Sequence, residues 1–214
     1  MATDRELGII EVNKLVYGYG YISESDTKIG MMENNTHLQS VDCNFPVLKD
    51  GTNMFSGCEK LETFTGKLSS LQNGTSMFED CKSLKTFKSD LYNLSTYTDM
   101  FKDTKLNTFE GGDIGITDTG LDFITNSYLK NSKNTLISFK GNLLNSTNTN
   151  NMFNGFSKLT TFKGSFTNVT DSDGMFYNCI ALESFSDGIL ATNAESMFRG
   201  CENLNYIDSY TNNL

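Results

Sequence analysis

One short motif recurs along this chain at a nearly constant spacing, and it limits the possible folds more than any other feature. The dipeptide Met-Phe returns after 23, 23, 52, 23 and 22 residues, at positions 54, 77, 100, 152, 175 and 197. Five of these pairs are followed by Leu-x-x-Phe, and a further Leu-x-x-Phe at 136–139 lies inside the 52-residue interval. A weaker copy occupies 31–41, and the last pair leads to Leu204 and Ile207, which gives eight repeats. A fixed period of about 20 to 50 residues predicts a solenoid.

Each repeat is expected to contribute one strand and one turn. Leu61, Phe64, Gly66 and Leu68 alternate with polar residues, which is typical of a short strand with an apolar inner face. Because a single repeat cannot bury that face, successive strands should stack into a parallel sheet of about eight strands. Opposite the sheet, apolar residues at intervals of three and four from Met54 to Leu61 favour a short α- or 3₁₀-helical turn over an irregular one. The fold class predicted is therefore an α/β solenoid.

The full pattern, Met-Phe-x-x-Cys-x-x-Leu-x-x-Phe, resembles the BspA-like leucine-rich-repeat family and the related mycoplasma-type repeat. The clearest copies run over 54–64, 77–87 and 175–185, and the likeness covers about 31–214. Asn35, Thr104 and Phe156 depart from it by replacing the repeat cysteine. The resemblance implies a right-handed leucine-rich-repeat coil and, in many members, a surface-exposed binding or adhesion role. It does not indicate the ligand.

Two stretches break the repeat. Residues 1–30 contain two apolar runs and are predicted to form an N-terminal cap or attachment segment, ahead of a solenoid spanning 31–214. Within 112–131, apolar residues at helical spacing follow Thr117 and Asp118, so a helical insertion is expected there. After the eighth strand no polar capping segment is visible. An uncovered edge strand invites pairing, so we expect another chain or a further domain to contact Ile207 and Tyr210, and possible homo-oligomers or larger assemblies through this edge and the N-terminal segment.

Charge and hydropathy exclude several classes of partner. The formal net charge is −9, with 17 basic and 26 acidic residues and no basic stripe, so nucleic acid is not expected as a partner. No apolar run approaches the roughly 20 residues of a membrane-spanning helix, so no membrane insertion is expected.

Catalytic and metal chemistry find no support in the sequence. The single histidine, His37, lies in a loop without a nucleophile motif, and the carboxylates of Asp42, Glu110 and Asp208 fall on distant strands. The cysteines at 58, 81, 179 and 201 share one repeat position and lack the spacing of a zinc site, so they should be reduced, buried filler. Cys43 falls in the column of Gly66, Ser89, Gly111, Gly141 and Gly164 as another small inward residue. A non-enzymatic protein without a cofactor is predicted.

The outer sheet face is the predicted binding surface for a protein or glycan ligand. A hydroxyl column precedes the strand phenylalanines, and a second outward column follows them. The hydroxyl column could bind ice or a polysaccharide, or could simply suit exposed strand positions, and the uneven charge of the second column argues against ice. The candidate ligand residues are Thr63, Thr65, Thr86, Lys88, Thr108, Glu110, Ser138, Lys140, Thr161 and Lys163.

Two functions stay open at this stage. The first is a recognition or adhesion module on a cell surface or on a phage particle, as a fibre, tail or capsid decoration. The second is an intracellular protein-interaction scaffold. The first residues lack a secretory signal, and the chain is rich in Asn, Thr and Ser, which together favour an extracellular or virion setting slightly, with the cytoplasm as the alternative.

Overall fold

The computed structural model describes residues 29–115, 129–143, 145–186, 188 and 191–208. Within them the chain forms one sheet of eight strands in sequential order. The strands are β1 (Ser40–Asp42), β2 (Thr63–Thr65), β3 (Thr86–Lys88), β4 (Thr108–Ile114), β5 (Ser138–Leu143), β6 (Thr161–Lys163), β7 (Ser184–Ser186) and β8 (Tyr206–Asp208). A single-turn 3₁₀ helix at Lys130–Ser132 precedes β5.

Every neighbouring pair of strands is parallel, and the first three residues of each strand are in the register that the repeat predicts. Val41 pairs with Phe64, Phe64 with Phe87, and the column continues through every strand to Ile207. Each strand from β1 to β7 buries this central residue, because successive side chains of a strand point to opposite faces. The predicted parallel sheet of eight strands is confirmed.

Two columns of phenylalanine rings fill the interior. Rings of adjacent strands stack, as Phe64 does on Phe87 with centroids 5.5 Å apart, and rings of adjacent turns stack in the same way, as Phe55 does on Phe78 at 5.4 Å. Between the columns the contacts are edge-to-face, with Phe64 5.0 Å from Phe78. Each such pair contributes about 0.5–1.5 kcal/mol beyond the burial of its area. The core is therefore continuous from coil to coil.

The Met-Phe segments are turns and not helices, so the helical turn that the spacing favours is not found and the irregular alternative describes these segments. The residue before each Met and the third residue after it adopt left-handed backbone angles, as Asn53 does at φ 55° and Gly57 at φ 72°. A helix cannot contain such residues. The chain instead makes successive i to i+3 turns, such as Gly51 O to Met54 N–H and Phe55 O to Cys58 N–H, with the positive φ at the third turn position that type II turns require.

The irregular fourth repeat is only partly described. Gly112–Ile114 belong to β4, so the predicted insertion at 112–131 cannot begin at 112, and Lys130 and Asn131 lie in the 3₁₀ helix. A register shift between Glu110 and Gly112 places Gly112, and not the expected Gly111, opposite Gly141. Residues 116–128, where the helix was predicted, lie outside the described part, as do residues 1–28 of the predicted cap.

The five cysteines are free thiols. Cys58, Cys81 and Cys179 are fully buried, as predicted, whereas Cys201 is only half-buried. Each of these four donates its Sγ–H to a carbonyl of the preceding coil, as Cys81 does to Phe55 O at 3.2 Å and Cys179 to Phe153 O at 3.0 Å. Burial raises the pKa of the Cys58 thiol to about 11. The thiols are thus protonated, and each joins its coil to the preceding one through a hydrogen bond.

Candidate ligand-binding face

The predicted outward residues form two straight columns on the outer face of the sheet. Pairing places Thr63, Thr86, Thr108, Ser138 and Thr161 side by side on successive strands. Two residues further along each strand, Thr65, Lys88, Glu110, Lys140 and Lys163 are aligned in the same way. The sheet therefore holds both columns at the fixed interstrand spacing of about 4.8 Å.

An open groove of about 360 Å³ crosses β1 to β5 along one margin of this face. Four of the predicted residues line it, namely Thr65, Lys88, Glu110 and Lys140. The hydroxyl column and Lys163 are not part of its lining. The groove also contains residues that the sequence reading did not assign to a ligand: Asp42, Asn44, Gly66, Lys67, Ser89, Asp90 and Gly112.

Three of the seven missed residues form a third column. Asn44, Lys67 and Asp90 are 23 residues apart, so they occupy the same position in three successive repeats, just after each strand. Asn44 and Lys67 are exposed, and so is Asp90. The repeat period could have identified this column, because it places these positions as clearly as it places those within the strands.

The groove carries balanced charge. Three carboxylates, on Asp42, Asp90 and Glu110, face three amines, on Lys67, Lys88 and Lys140, so the formal charges of its lining cancel. Lys88 Nζ lies 2.8 Å from Glu110 Oε1, an ion pair across β3 and β4. Lys67 and Lys140 form no ion pair with any described residue. Glu110 thus lies between Lys88 and Lys140 in the second outward column and pairs with Lys88, while Lys140 forms no such pair.

Two glycines allow the backbone of the groove floor to approach its neighbours. Gly112 has φ 58°, and a Cβ there would lie 2.3 Å from Asp90 Oδ1. A Cβ on Gly66 would lie 1.7 Å from the carbonyl oxygen of Cys43 in the preceding coil. A side chain at Gly66 would force the coils apart, because it would overlap backbone. A side chain at Gly112 would displace the Asp90 carboxylate and would strain the left-handed backbone.

Comparison with protein families decides the identity of the repeat. The model of the family described as BspA type leucine rich repeat region (6 copies) matches residues 22–130 and 112–205. The chain belongs to the BspA-type leucine-rich-repeat family. This family is a repeat solenoid that serves as a protein-binding module and is typically non-enzymatic. No curated protein and no solved structure matches the chain.

The described part of the BspA-type chain brings together no group of side chains that is arranged for catalysis or metal binding. His37 is exposed, and its Nδ1 lies 3.4 Å from the hydroxyl of Thr36, the residue beside it. No group of three or more His, Cys, Asp or Glu side chains that could hold a metal ion is found among the described residues. Burial raises the pKa of Cys179 to about 12, which opposes formation of a nucleophilic thiolate.

The last described strand of this BspA-type solenoid, β8, is exposed. All three residues of β8 are solvent-accessible, and Ile207 retains 45% of its surface although its equivalents on β1 to β7 are buried. Tyr210, the other predicted contact residue, lies outside the described residues. In the part of the chain that the structure describes, no helix is long and apolar enough to span a membrane.

Proposed function

We propose that this chain is a non-catalytic recognition module that binds a protein partner across the outer face of its sheet. The observation that carries the proposal is the groove over β1 to β5, whose side chains present alternating charge on a rigid parallel sheet. Lys67 and Lys140 offer amines without an ion-pair partner among the described residues, and Asp90 offers a carboxylate on the same surface. A partner with complementary charges would gain both orientation and a faster association rate.

The composition of the groove favours a macromolecule over a small apolar ligand. None of the described residues that line it is aromatic or aliphatic, whereas small-molecule sites are predominantly hydrophobic with a few placed polar groups. A polyanion is disfavoured because the three amines are matched by three carboxylates. Alternating charge of this kind suits a protein surface that itself carries both signs.

A glycan is the second candidate ligand, and the hydroxyl column supports it. Thr63, Thr86 and Thr108 lie on the same face as the groove, in a straight row beside its charged column. Hydroxyl groups both donate and accept hydrogen bonds, so such a row can bond the hydroxyls of a polysaccharide.

We further propose that the module acts on a cell surface or on a phage particle, as a fibre, tail or capsid decoration. The richness in Asn, Thr and Ser and the surface role that the repeat family implies in many members support this setting. An intracellular interaction scaffold is the alternative. Protease treatment of intact cells and mass spectrometry of purified particles distinguish the settings: the proposal is wrong if the chain is found only in the soluble cell interior.

The binding proposal is tested by parallel screening of a displayed random-peptide library and a glycan array with the whole chain. The variant Lys88→Ala/Lys140→Ala removes two groove amines, and Lys105→Ala/Lys158→Ala removes two exposed amines outside the groove as the matched control. Peptides selected by the wild type should bind the groove variant about tenfold more weakly or worse, and the control within about twofold. Binding should also weaken as salt is raised.

Each outcome of this screen is informative. Selection of peptides that depend on the groove supports a protein ligand. Groove-dependent binding of glycans alone would replace the protein ligand with a carbohydrate one. Ligands that bind both variants as tightly as the wild type would contradict a site at the groove.

A further inference from the structure

Interior coils are joined by a second set of hydrogen bonds opposite the sheet. In the Met-Phe turns at Met54, Met77, Met152 and Met175, every second amide donates to the next coil. The N–H of Asn53 donates to Thr75 O at 3.0 Å, that of Phe55 to Met77 O at 2.9 Å, and that of Gly57 donates in the same way. These bonds run along the solenoid axis, so each coil presents donors towards the C-terminal side and acceptors towards the N-terminal side.

The last coil carries this set of donors without acceptors. Ser196, Phe198 and Gly200 occupy the positions of Asn53, Phe55 and Gly57, and their N–H groups meet no acceptor among the described residues. Beside them, Tyr206 retains 55% and Ile207 45% of their surface. Half of a coil interface is therefore present, with its donors and its apolar side chains already in place.

The first coil carries the matching acceptors. The carbonyls of Ile29, Met31 and Glu33 occupy the positions at which interior coils accept these bonds, and no donor to them is found among the described residues. The amides of this coil, in contrast, already donate to the second coil, as that of Met32 does to Met54 O at 2.8 Å. The two ends thus have opposite hydrogen-bonding character.

The ends also match in charge at one repeat position. Arg199 lies two residues after its repeat Met, and Glu33 lies two residues after Met31. In the interior the same position holds Glu79 and Lys102, whose Oε1 and Nζ are 2.5 Å apart across adjacent coils. A first coil laid on a last coil in the repeat register would place Glu33 opposite Arg199 as Glu79 lies opposite Lys102.

We propose that this chain associates head to tail with a second copy of itself, the first coil of one copy stacking on the last coil of another. Ser196, Phe198 and Gly200 of one copy then donate to Ile29, Met31 and Glu33 of the next, and β8 pairs in parallel with β1. Such a contact joins two different surfaces and does not close on itself, so copies add one after another into linear assemblies.

One contact in this arrangement opposes association. In the same register Asp208 of one copy falls beside Asp42 of the next, and like charges directly opposite on a sheet are destabilising. Both side chains are exposed, so salt should screen their repulsion. The proposal therefore predicts that charge reversal at Arg199 or Glu33 weakens association, whereas removal of the charge at Asp208 strengthens it.

The test is the mass of the full chain, measured by light scattering and sedimentation from about 1 μM to about 1 mM. The wild-type average mass should keep rising with concentration. Arg199→Glu and Glu33→Lys should each raise the dissociation constant about tenfold or more, and the double variant should return to within about threefold of the wild type. Asp208→Asn should lower the dissociation constant severalfold. Lys158→Glu, an equal charge change on an interior coil, is the matched control and should have no effect.

The charge-swap rescue separates the interface from folding. Arg199 also lies over the Tyr177 ring, with its guanidinium 5.8 Å from the ring centroid, so Arg199→Glu alone could act within one copy. Only contact between copies lets Glu33→Lys restore what Arg199→Glu removes. A monomer at every concentration, as expected if the chain's own residues 1–28 cover the first coil, overturns the proposal, and so does association that neither single variant weakens.

Discussion

An interior coil and the last coil carry the same motif and differ in how much of it is buried. Met77, Phe78, Leu84 and Phe87 have no exposed surface. In the last coil the equivalent residues are progressively uncovered: Met197 is 6% exposed, Phe198 and Leu204 are half-buried, and Ile207 is 45% exposed. Met197, Phe198 and Leu204 keep the residue types of the interior coil, so their greater exposure comes from the C-terminal side, where no described coil covers them.

A single repeat therefore supplies only part of the surroundings that bury its apolar side chains. An interior coil buries its apolar row completely, whereas the last described coil leaves part of that row accessible. Stability in such arrays is a sum of coil and interface contributions, so the position of a residue in the array matters as much as its type.

The largest effect should come from removing one phenylalanine ring from an interior coil, compared with removing the equivalent ring from the last coil. Phe78→Ala leaves a cavity between four rings, those of Phe55, Phe64, Phe87 and Phe101, and should cost about 3–5 kcal/mol. Phe198→Ala removes a ring that is half-buried and should cost about 1–2 kcal/mol. Urea unfolding followed by far-ultraviolet circular dichroism measures both. Equal losses would mean that the C-terminal face of the last coil is covered.

A smaller contrast is expected in thiol reactivity. Burial raises the pKa of every repeat thiol, to about 11 for Cys58 and about 12 for Cys179, and the half-buried Cys201 is the most accessible of the four. Iodoacetamide at pH 8 should therefore label Cys201 at least about tenfold faster than Cys58, Cys81 or Cys179, as read by peptide mass spectrometry. In urea the rates should become similar, and faster labelling of an interior cysteine in the native chain would contradict the comparison.

The smallest effect concerns pH and a partly exposed ion pair. Lys102 lowers the pKa of Glu79 chiefly through a side-chain hydrogen bond. A carboxylate whose folded pKa is lowered stabilises the fold above its unfolded pKa of 4.5 and ceases to do so as pH falls through the folded value. Glu79→Gln should cost roughly 0.5 kcal/mol or less at pH 7, because the pair is largely solvated.

The control for this pair lies in the last coil. Glu195 is exposed and forms no ion pair with a described residue. Glu195→Gln should therefore change the free energy of unfolding equally little at about pH 7 and at about pH 3. At pH 3 or below, the difference between wild type and Glu79→Gln should vanish. A cost for Glu79→Gln that persists in acid would assign its effect to packing and not to charge.

The sheet could be predicted from sequence because the period alone fixes its register. Once Phe64 and Phe87 are aligned, every other column follows, including the outward positions of Thr65 and Lys88. The turns could not, because apolar residues three and four apart occur both in a helix and in successive i to i+3 turns. The distinguishing signal was present at Asn53 and Gly57, whose residue types favour left-handed backbone angles and recur at equivalent positions.

Only part of the groove lining was among the residues predicted from the sequence. Lys88, Glu110 and Lys140 were assigned because they lie on strands, whereas Lys67 and Asp90 were missed because they follow the strands. The register shift at Glu110 and Gly112 could not be inferred, since it depends on how the irregular fourth coil meets β5. Ligand binding by any of these residues stays a prediction.

The thiol hydrogen bonds described above are absent from three successive boundaries in the middle of the array, because the fourth to sixth coils contain no cysteine. At the cysteine position the fourth coil has Thr104, whose Oγ1 donates to Phe101 O within its own coil at 2.7 Å instead of to the third coil. The Thr104 hydroxyl thus forms its hydrogen bond within its own turn and not with the preceding coil. Under a stretching force the array should therefore separate first within this middle region, leaving the first three and the last three coils still joined by their thiol hydrogen bonds.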